Sequence, residues 1–547
     1  MRRKKGIAVL LSLMMMGTVI GCGEQKQETS QKPEAAVSDT ASATKETLEQ
    51  IAEETGTQLP ISEEKITLKF WYPIGAENLG NMKDYNDNEV FQKMEELTNI
   101  HIEWINPVAG TEKESFNLMF ASNDLPDLLY TSNKYQYSAG PEAAVEDGYY
   151  LDLTELAPQY APNYMKIIEE NPKLQKITVT DSGTRWGFNF IYKNGRLGNF
   201  GPAIRADLLE KVNMDVPVTY DDWYNVLKAF KTELGIEAPL FMYYDSASQN
   251  NSFLAGYNTA RAFFQDNGTV KYGPIESGFQ EYIEMMAKWY AEGLIDANFS
   301  IRTSDTPDDE LVLNDKIGAW ETFASWCGTE YYPSRGAKNE DFNLVAAPIP
   351  VKNAGDETHL RNRDLQVNNM SIAISANTKY PTEAIRWMDY FYGVEGSLMQ
   401  NYGLEEGRTY IVDADGNCRW SELITNNPDG MTKNEARTKY TTLNAFNEDY
   451  TRVTSSWSDE QKQAQQVWVA SKDDGVIPNE LTMTAEENQE YASIMSEIQT
   501  FVDEQAVKMI MGTSQMSYDD FVKEIKAMGI DKAITIYQNA LDRYNNR

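Results

Sequence analysis

Between Lys65 and Thr131 the apolar residues switch repeatedly between two periods, and that switching limits the folds open to the chain. Ile66, Leu68 and Phe70 alternate with Thr67, Lys69 and Trp71, the two-residue period of a strand. Pro73 and Gly75 stop the run. Val90, Phe91, Met94 and Leu97 then recur at helical spacing behind Asn88, a residue type that caps helices by accepting from first-turn amides. Ile100, Ile102 and Trp104 alternate again, Glu112 to Ser122 reads as a second helix, and Asp127 to Thr131 as a short buried strand. Strands separated by helices predict a mostly parallel, doubly wound sheet, because parallel neighbours need a long crossover. Ligands on such sheets lie beyond the carboxyl ends of the strands, here Trp71-Tyr72, Asn106 and Tyr130-Thr131.

The alternation continues downstream. Ile204 to Asn213 starts a helix, and Pro217-Val218-Thr219 leads into another. Thr219 with Asp222 three residues later approximates a capping box, and Trp223, Val226, Leu227 and Phe230 form that helix's buried stripe. Pro239 to Tyr244 reads as a strand, Ser252 to Phe264 and Gly278 to Glu292 as helices, and Lys316 to Trp320 with Phe342 to Ala346 as strands of a second sheet. Met370 to Ser375 is a further strand, followed by a helix from Pro381 to Tyr392. Ile411 to Trp420 reads as a hairpin, and the remainder is mostly helical. A chain of 547 residues exceeds what one hydrophobic core serves, so two or three domains are expected.

The amino terminus carries a different signal. Arg2, Arg3, Lys4 and Lys5 precede an apolar run from Ile7 to Ile20, too short to span a bilayer comfortably. It ends in Val19-Ile20-Gly21-Cys22, which resembles the bacterial lipobox. In that signal the peptide is cut before the cysteine, whose thiol carries a diacylglycerol. An ordinary signal peptide is the alternative, but no A-x-A site competes. Residues 1–21 are therefore expected as a lipoprotein signal peptide, with Cys22 as the lipidation site. From Gly23 to Ser62 the chain contains no Phe, Trp or Tyr, so residues 22–62 are expected as a disordered tether.

Charge narrows the partners. The formal net charge is −34, and more negative once the four basic residues of the leader are removed. Such a chain repels nucleic acid and other polyanions. Cys327 and Cys418 are expected as partly buried free thiols, with pairing in an oxidising compartment as the alternative. His101 and His359 are the two histidines, and both read as structural or loop residues. No nucleophile elbow, metalloprotease, phosphate-loop or dinucleotide motif occurs, so no enzyme, catalytic residue, cofactor or metal is expected. A carboxylate-pair glycosidase leaves no such motif and stays open as a rival reading.

Several stretches together resemble the large extracellular solute-binding proteins of bacterial ABC importers, in the sugar-binding group that includes maltose-binding protein. They are Ala121-Ser-Asn-Asp-Leu-Pro-Asp127, Ile204-Arg-Ala-Asp-Leu208 with Pro217-Val-Thr-Tyr-Asp221, Lys288-Trp-Tyr-Ala-Glu-Gly-Leu-Ile-Asp296, Ile317-Gly-Ala-Trp320 and Asn401-Tyr-Gly-Leu-Glu-Glu-Gly-Arg-Thr-Tyr410. The tail from Phe501 to Tyr544 fits as well. The match is nearest to a long lipoprotein subgroup common in Gram-positive bacteria. The resemblance implies an α/β, two-lobed periplasmic-binding-protein-like fold of type II, each lobe a sheet flanked by helices, with a hinge between them. It implies lobe one from 63–194 and 366–410, and lobe two from 195–365 and 411–547. It also implies a monomer, lipid-anchored on the extracytoplasmic membrane face, that captures an oligosaccharide and hands it to ABC permease subunits. A carbohydrate-active hydrolase or a non-transport adhesin is the alternative. Some relatives carry a calcium loop after the helix corresponding to Tyr220–Lys231. Thr232 to Pro239 lacks the alternating oxygen ligands for one, and Asp413 to Asn417 reads as a turn.

Sugar rings present apolar C–H faces that stack on aromatics, and hydroxyls that polar side chains read by hydrogen bonds. Eleven Trp and 31 Tyr supply faces in excess, so position has to select among them. The ligand-binding candidates are Trp71 and Tyr72 at the end of the first strand, Trp186 before the first crossing, and Trp320 and Trp326. The counterpart of Trp320 in the maltose-binding relatives stacks on sugar. Asn123, Asp124, Arg205, Arg363 and Gln366 are the polar candidates, with a structural ion pair to Asp207 the alternative for Arg205.

Overall fold

The computed structural model describes residues 57–242, 252–302 and 309–547. Cys22, the leader and the tether up to residue 56 lie outside these, as do Tyr243 and Tyr244 of the expected strand. The strands are β1 (Ile66–Trp71), β2 (Ile100–Ile105), β3 (Leu128–Ser132), β4 (Phe188–Arg196), β5 (Phe200–Arg205), β6 (Ala238–Leu240), β7 (Phe263–Asp266), β8 (Thr269–Tyr272), β9 (Ile317–Phe323), β10 (Leu344–Ala346), β11 (Leu365–Ile374), β12 (Tyr410–Val412), β13 (Cys418–Trp420) and β14 (Asn447–Glu448).

Six strands form the sheet of the first lobe in the order β14-β4-β11-β3-β1-β2. β1 runs parallel to β2, with Ile66 opposite Ile100, and parallel to β3, with Phe70 opposite Leu128. The helix Glu89–Thr98 makes the β1–β2 crossover, capped by Asn88, whose Oδ1 accepts from the Phe91 amide at 2.9 Å. The sheet is mixed, because β11 runs antiparallel to both β3 and β4. β11 returns from the second lobe, so no short βαβ crossover dictates its direction. Its register against β4 shifts: Val367 faces Ile191, yet Ser371 faces Asn189. Four residues on one strand therefore match two on the other, a bulge that leaves Asn368 and Asn369 unpaired with either neighbour, while Met370 pairs with Ser132 of β3.

The second lobe holds a four-stranded sheet in the order β10-β5-β9-β6. Leu344 of β10 pairs with Arg205 of β5, Ala203 with Trp320 of β9, and Ala238 of β6 with Ile317. The helix Tyr220–Thr232 carries the full capping box between Thr219 and Asp222. Gly318 is small because Phe230 of that helix lies against it: a Cβ there would meet the Phe230 ring at 2.4 Å. The helices Ala485–Ile510, Tyr518–Ala527 and Ile530–Asn546 bury Ile498, Val502, Ile510, Phe521 and Ile530 in one cluster with Trp223 and Trp289 of this lobe.

Three segments differ from expectation. The helix expected over Ser252 to Phe264 stops at Ala255, and β7 and β8 follow as a hairpin. Asn267 and Gly268 both take positive φ at its tip, 49° and 84°, the pair that a tight hairpin turn requires and that overrides helical spacing. The end of the expected tether is ordered: Thr57 and Ile61 are buried, Ile61 in the first lobe's core. Residues 411–448, expected in the second lobe, make contacts with the first lobe's sheet and its crossover helix. Asn88 Nδ2 donates to the Thr438 and Thr441 carbonyls at 2.6 and 2.5 Å, Arg408 pairs with Glu89 at 2.7 Å, and β14 joins β4. Fully buried Arg452 pairs with Glu448 at 2.9 Å and donates to the Thr442 carbonyl at 3.0 Å. The chain packs on the second sheet by Trp457, buried with Phe200 and Trp320, and continues into the helix Asp459–Val469, whose Trp468 indole donates to the Pro202 and Ala347 carbonyls, each at 3.1 Å.

Candidate ligand-binding cavity

A cavity of about 370 Å³ opens beyond the carboxyl end of β3 and is closed on its far side by the C-terminal segment. Its volume is in the range of small-molecule sites. Thr131 and Ser132 end β3 at its floor, and the loop that follows supplies Asn133, Gln136 and Tyr137. The bulge of β11 turns Asn368 and Asn369 into it. From the other side come Asn479 to Met483, then Asn488 and Tyr491 of the helix Ala485–Ile510, and Tyr537 of the last helix.

The polar groups are held at defined angles. Asn189 accepts from the Tyr164 hydroxyl at 2.8 Å and donates to the Ser371 hydroxyl at 3.1 Å. The Thr131 hydroxyl donates to the Ser371 carbonyl at 2.9 Å. Asn488 bridges to the Ser138 carbonyl at 3.0 Å, and Asn479 to Asn369 at 3.4 Å, so the two walls touch across the rim. The amides of Asn133 and Gln136 make no side-chain hydrogen bond within the described residues, which leaves their donors and acceptors for a ligand.

Aromatic rings line both walls. Trp186 is half-buried and lies nearly parallel to Tyr150, with centroids 6.0 Å apart at 22°. Tyr491 and Tyr537 pack together with centroids 5.6 Å apart. The Tyr137 hydroxyl donates to Asp147 at 2.7 Å, a bond that with burial pushes its pKa up to about 12. Burial holds the Tyr150, Tyr491 and Tyr537 phenols above their ordinary range as well. All four stay neutral at physiological pH, so these walls offer ring faces and hydroxyls without charge.

Ion pairs stand behind the far wall. Asp181 of the first lobe accepts from Arg543 Nε at 2.6 Å and Arg547 Nε at 2.9 Å, and Arg543 also holds Glu487 at 2.9 Å. Arg363 Nη2 reaches both oxygens of Glu480, at 2.7 and 2.9 Å. These pairs tie the C-terminal helices to residues 176–181 and to the strand entering the bulge.

Of the ten expected ligand-binding residues, Trp186 lines this cavity and the other nine do not. Trp71 is fully buried, its indole donating to Ser115 at 3.2 Å, and Tyr72 is buried against Phe70 and Tyr85. Asn123 takes a left-handed φ of 53° to end the helix Glu112–Ser122, and Asp124 follows it, exposed. Arg205 is fully buried, bonded to Asp207 at 2.7 Å through two nitrogens and to Asp315 at 2.7 Å: it is structural. Trp320 is 1% exposed and edge-on to Tyr332 in a core cluster with Ala203 and Phe342. Trp326 stacks on Tyr331 at 5.1 Å, Arg363 is engaged by Glu480, and Gln366 accepts from Asn171 at 3.4 Å. The lining residues that the sequence reading did not single out include Asn133, Gln136, the bulge asparagines and the 479–491 segment. The cap at Thr484 and Glu487 marks where that helix starts, but only the tertiary fold brings it to β3.

Comparison with known proteins agrees with this architecture. The family described as bacterial extracellular solute-binding protein matches residues 80–397, more than half of the chain. The fructooligosaccharide ABC transporter substrate-binding protein FusA of Streptococcus pneumoniae is 22% identical over 518 residues, covering 89% of this chain and 92% of FusA. Lipoprotein LipO of Bacillus subtilis is 25% identical over 320 residues, covering 57% of this chain and 54% of LipO. Among solved structures, the alginate-binding protein AlgQ2 without calcium ion superposes with a TM-score of 0.70 at 23% identity, covering 88% of this chain and 99% of that one. FusA in complex with kestose superposes at 0.68 and 20% identity, with coverage of 88% and 99%. With its two α/β lobes and the matched stretch from residue 80 to residue 397, the chain belongs to the bacterial extracellular solute-binding protein family.

Proposed function

We propose that this protein captures an oligosaccharide in the cavity between β3, the β11 bulge and the C-terminal helices, and delivers it unaltered to an ABC permease. The observation that carries the reading is the lining itself: Trp186 and tyrosine faces alternate with amides and hydroxyls, the pairing that a sugar's C–H faces and hydroxyls require. The transport role named for FusA supports it. Trp186 serves as the stacking face, and Asn133, Gln136 and Asn368 as hydroxyl readers. The protein is held outside the membrane by lipid on Cys22, and among the described residues no helix is long and apolar enough to cross a bilayer.

Calorimetric titration and thermal shift against a panel of oligosaccharides test the reading. The expected result is saturable binding, with stabilisation of roughly 2.7 kcal/mol at a hundredfold excess over Kd. The recovered sugar should be intact by chromatography. Shortened products would make the protein a hydrolase. For the anchor, Cys22→Ser should move the protein from the membrane fraction to the medium, and unchanged fractionation would reject lipidation.

A further inference from the structure

We infer that the ligand is an uncharged oligosaccharide and that sugars bearing carboxylates, such as uronate oligomers, are excluded; this rests on the oligosaccharide reading above. Among the described residues lining the cavity, none is Lys, Arg or His. Its two ionisable acids, Glu142 and Glu480, are both of the wrong sign for a uronate. The nearby guanidinium groups are committed elsewhere. Arg363 holds both Glu480 oxygens, while Asp181 takes Arg543 and Arg547.

A neutral hydroxyl both donates and accepts, and so does a carboxamide. The unbonded amides of Asn133 and Gln136, with Asn368 from the bulge, suit hydroxyls. A carboxylate accepts only. Brought into this cavity it would lose water without gaining a cation, and the lining acid outside the Arg363 pair, Glu142, is of like charge, a combination that disfavours binding. The cavity therefore separates sugars by charge before it separates them by linkage. The chain's formal net charge of −34 acts in the same direction at long range, slowing the approach of polyanionic sugars.

The test uses the whole mature chain and two pools matched in length. One holds gluco-, manno-, galacto-, xylo- and fructo-oligosaccharides. The other holds oligogalacturonides and alginate oligosaccharides, with carboxyl-reduced oligogalacturonides as a neutral control of identical backbone. We expect at least one neutral sugar to bind, with every uronate oligomer weaker by on the order of 100-fold. Affinity for the neutral sugar should change less than about twofold between about 50 and about 500 mM NaCl, because no charge pair is made. A uronate that binds as tightly as the best neutral sugar overturns the inference while leaving the oligosaccharide reading intact. If neither pool binds, the oligosaccharide reading fails and this inference falls with it.

Discussion

Trp186 and Trp320 are the same side chain in two settings, and the contrast separates a proposed platform from a strut. Trp320 sits inside the second sheet, 1% exposed, with Tyr332 edge-on at 5.6 Å and 88°. Trp186 precedes β4, is half-buried, and lies nearly parallel to Tyr150 while it borders the cavity. Trp186 lies just before β4, and Trp320, expected at the end of its strand, is the middle residue of β9. What distinguishes them is the second face of the ring. A core ring has protein on both faces, so its whole area contributes to folding. A platform has protein on one face and open space on the other, so part of its area remains for a ligand.

The largest effect that would break this contrast is on folding. Trp320→Ala should lose about 3–5 kcal/mol of stability in urea unfolding, with sugar affinity of the folded protein unchanged. Stability within about 1 kcal/mol of wild type, together with lost affinity, would return Trp320 to the binding site. A second measurement probes how dry the first lobe's core is. Asp389 is 1% exposed, and burial raises its pKa to about 6 although it accepts from Tyr164 N and Asn163 at 2.8 Å. The folded state thus binds this proton more tightly than the unfolded chain, in which the ordinary carboxylate value holds. The contribution to stability is full below about pH 4 and is lost as pH rises through about 6. Relative to Asp389→Asn, the wild type should lose about 2–3 kcal/mol between those limits, and a flat difference would contradict the burial argument. The third effect is on binding. Trp186→Ala should weaken affinity by about 1–3 kcal/mol with little change in melting temperature, since one face of the ring is not buried in the core. A variant that melts much earlier but binds normally would make Trp186 a strut as well.

Two of the stretches that carry the family resemblance show the same divergence between pattern and role. Ile204-Arg-Ala-Asp-Leu208 places a cation near a strand end, where ligands gather, yet Arg205 is spent on Asp207 and Asp315. Asp127 of the Ala121–Asp127 stretch accepts from the Lys69 amide at 2.8 Å and from Thr378 at 2.6 Å, tying β1 to the turn after β11. Both motifs hold the fold, and the amides that line the candidate cavity lie elsewhere.

Local pattern alone determined much of this protein. The period changes located β1, the helix Glu89–Thr98, β2, the helix Glu112–Ser122 and β3 to within a residue or two, and the Thr219–Asp222 box marked a helix start. These features depend on neighbours a few positions away, which a sequence displays directly. The expectation that ligands gather beyond the end of β3, where the candidate cavity opens, has the same origin: strand order and crossover direction put carboxyl ends on one edge. Tertiary structure decided the rest. Which strand sends Asn368 and Asn369 inward depends on a register shift between β11 and β4, over 170 residues apart in the chain. That Asn479 to Tyr491 close the cavity depends on helices anchored to one lobe by apolar burial and to the other by Asp181. Whether a tryptophan is a platform or a strut depends on what fills the space above its ring. That is a property of packing between distant segments, and no local period encodes it.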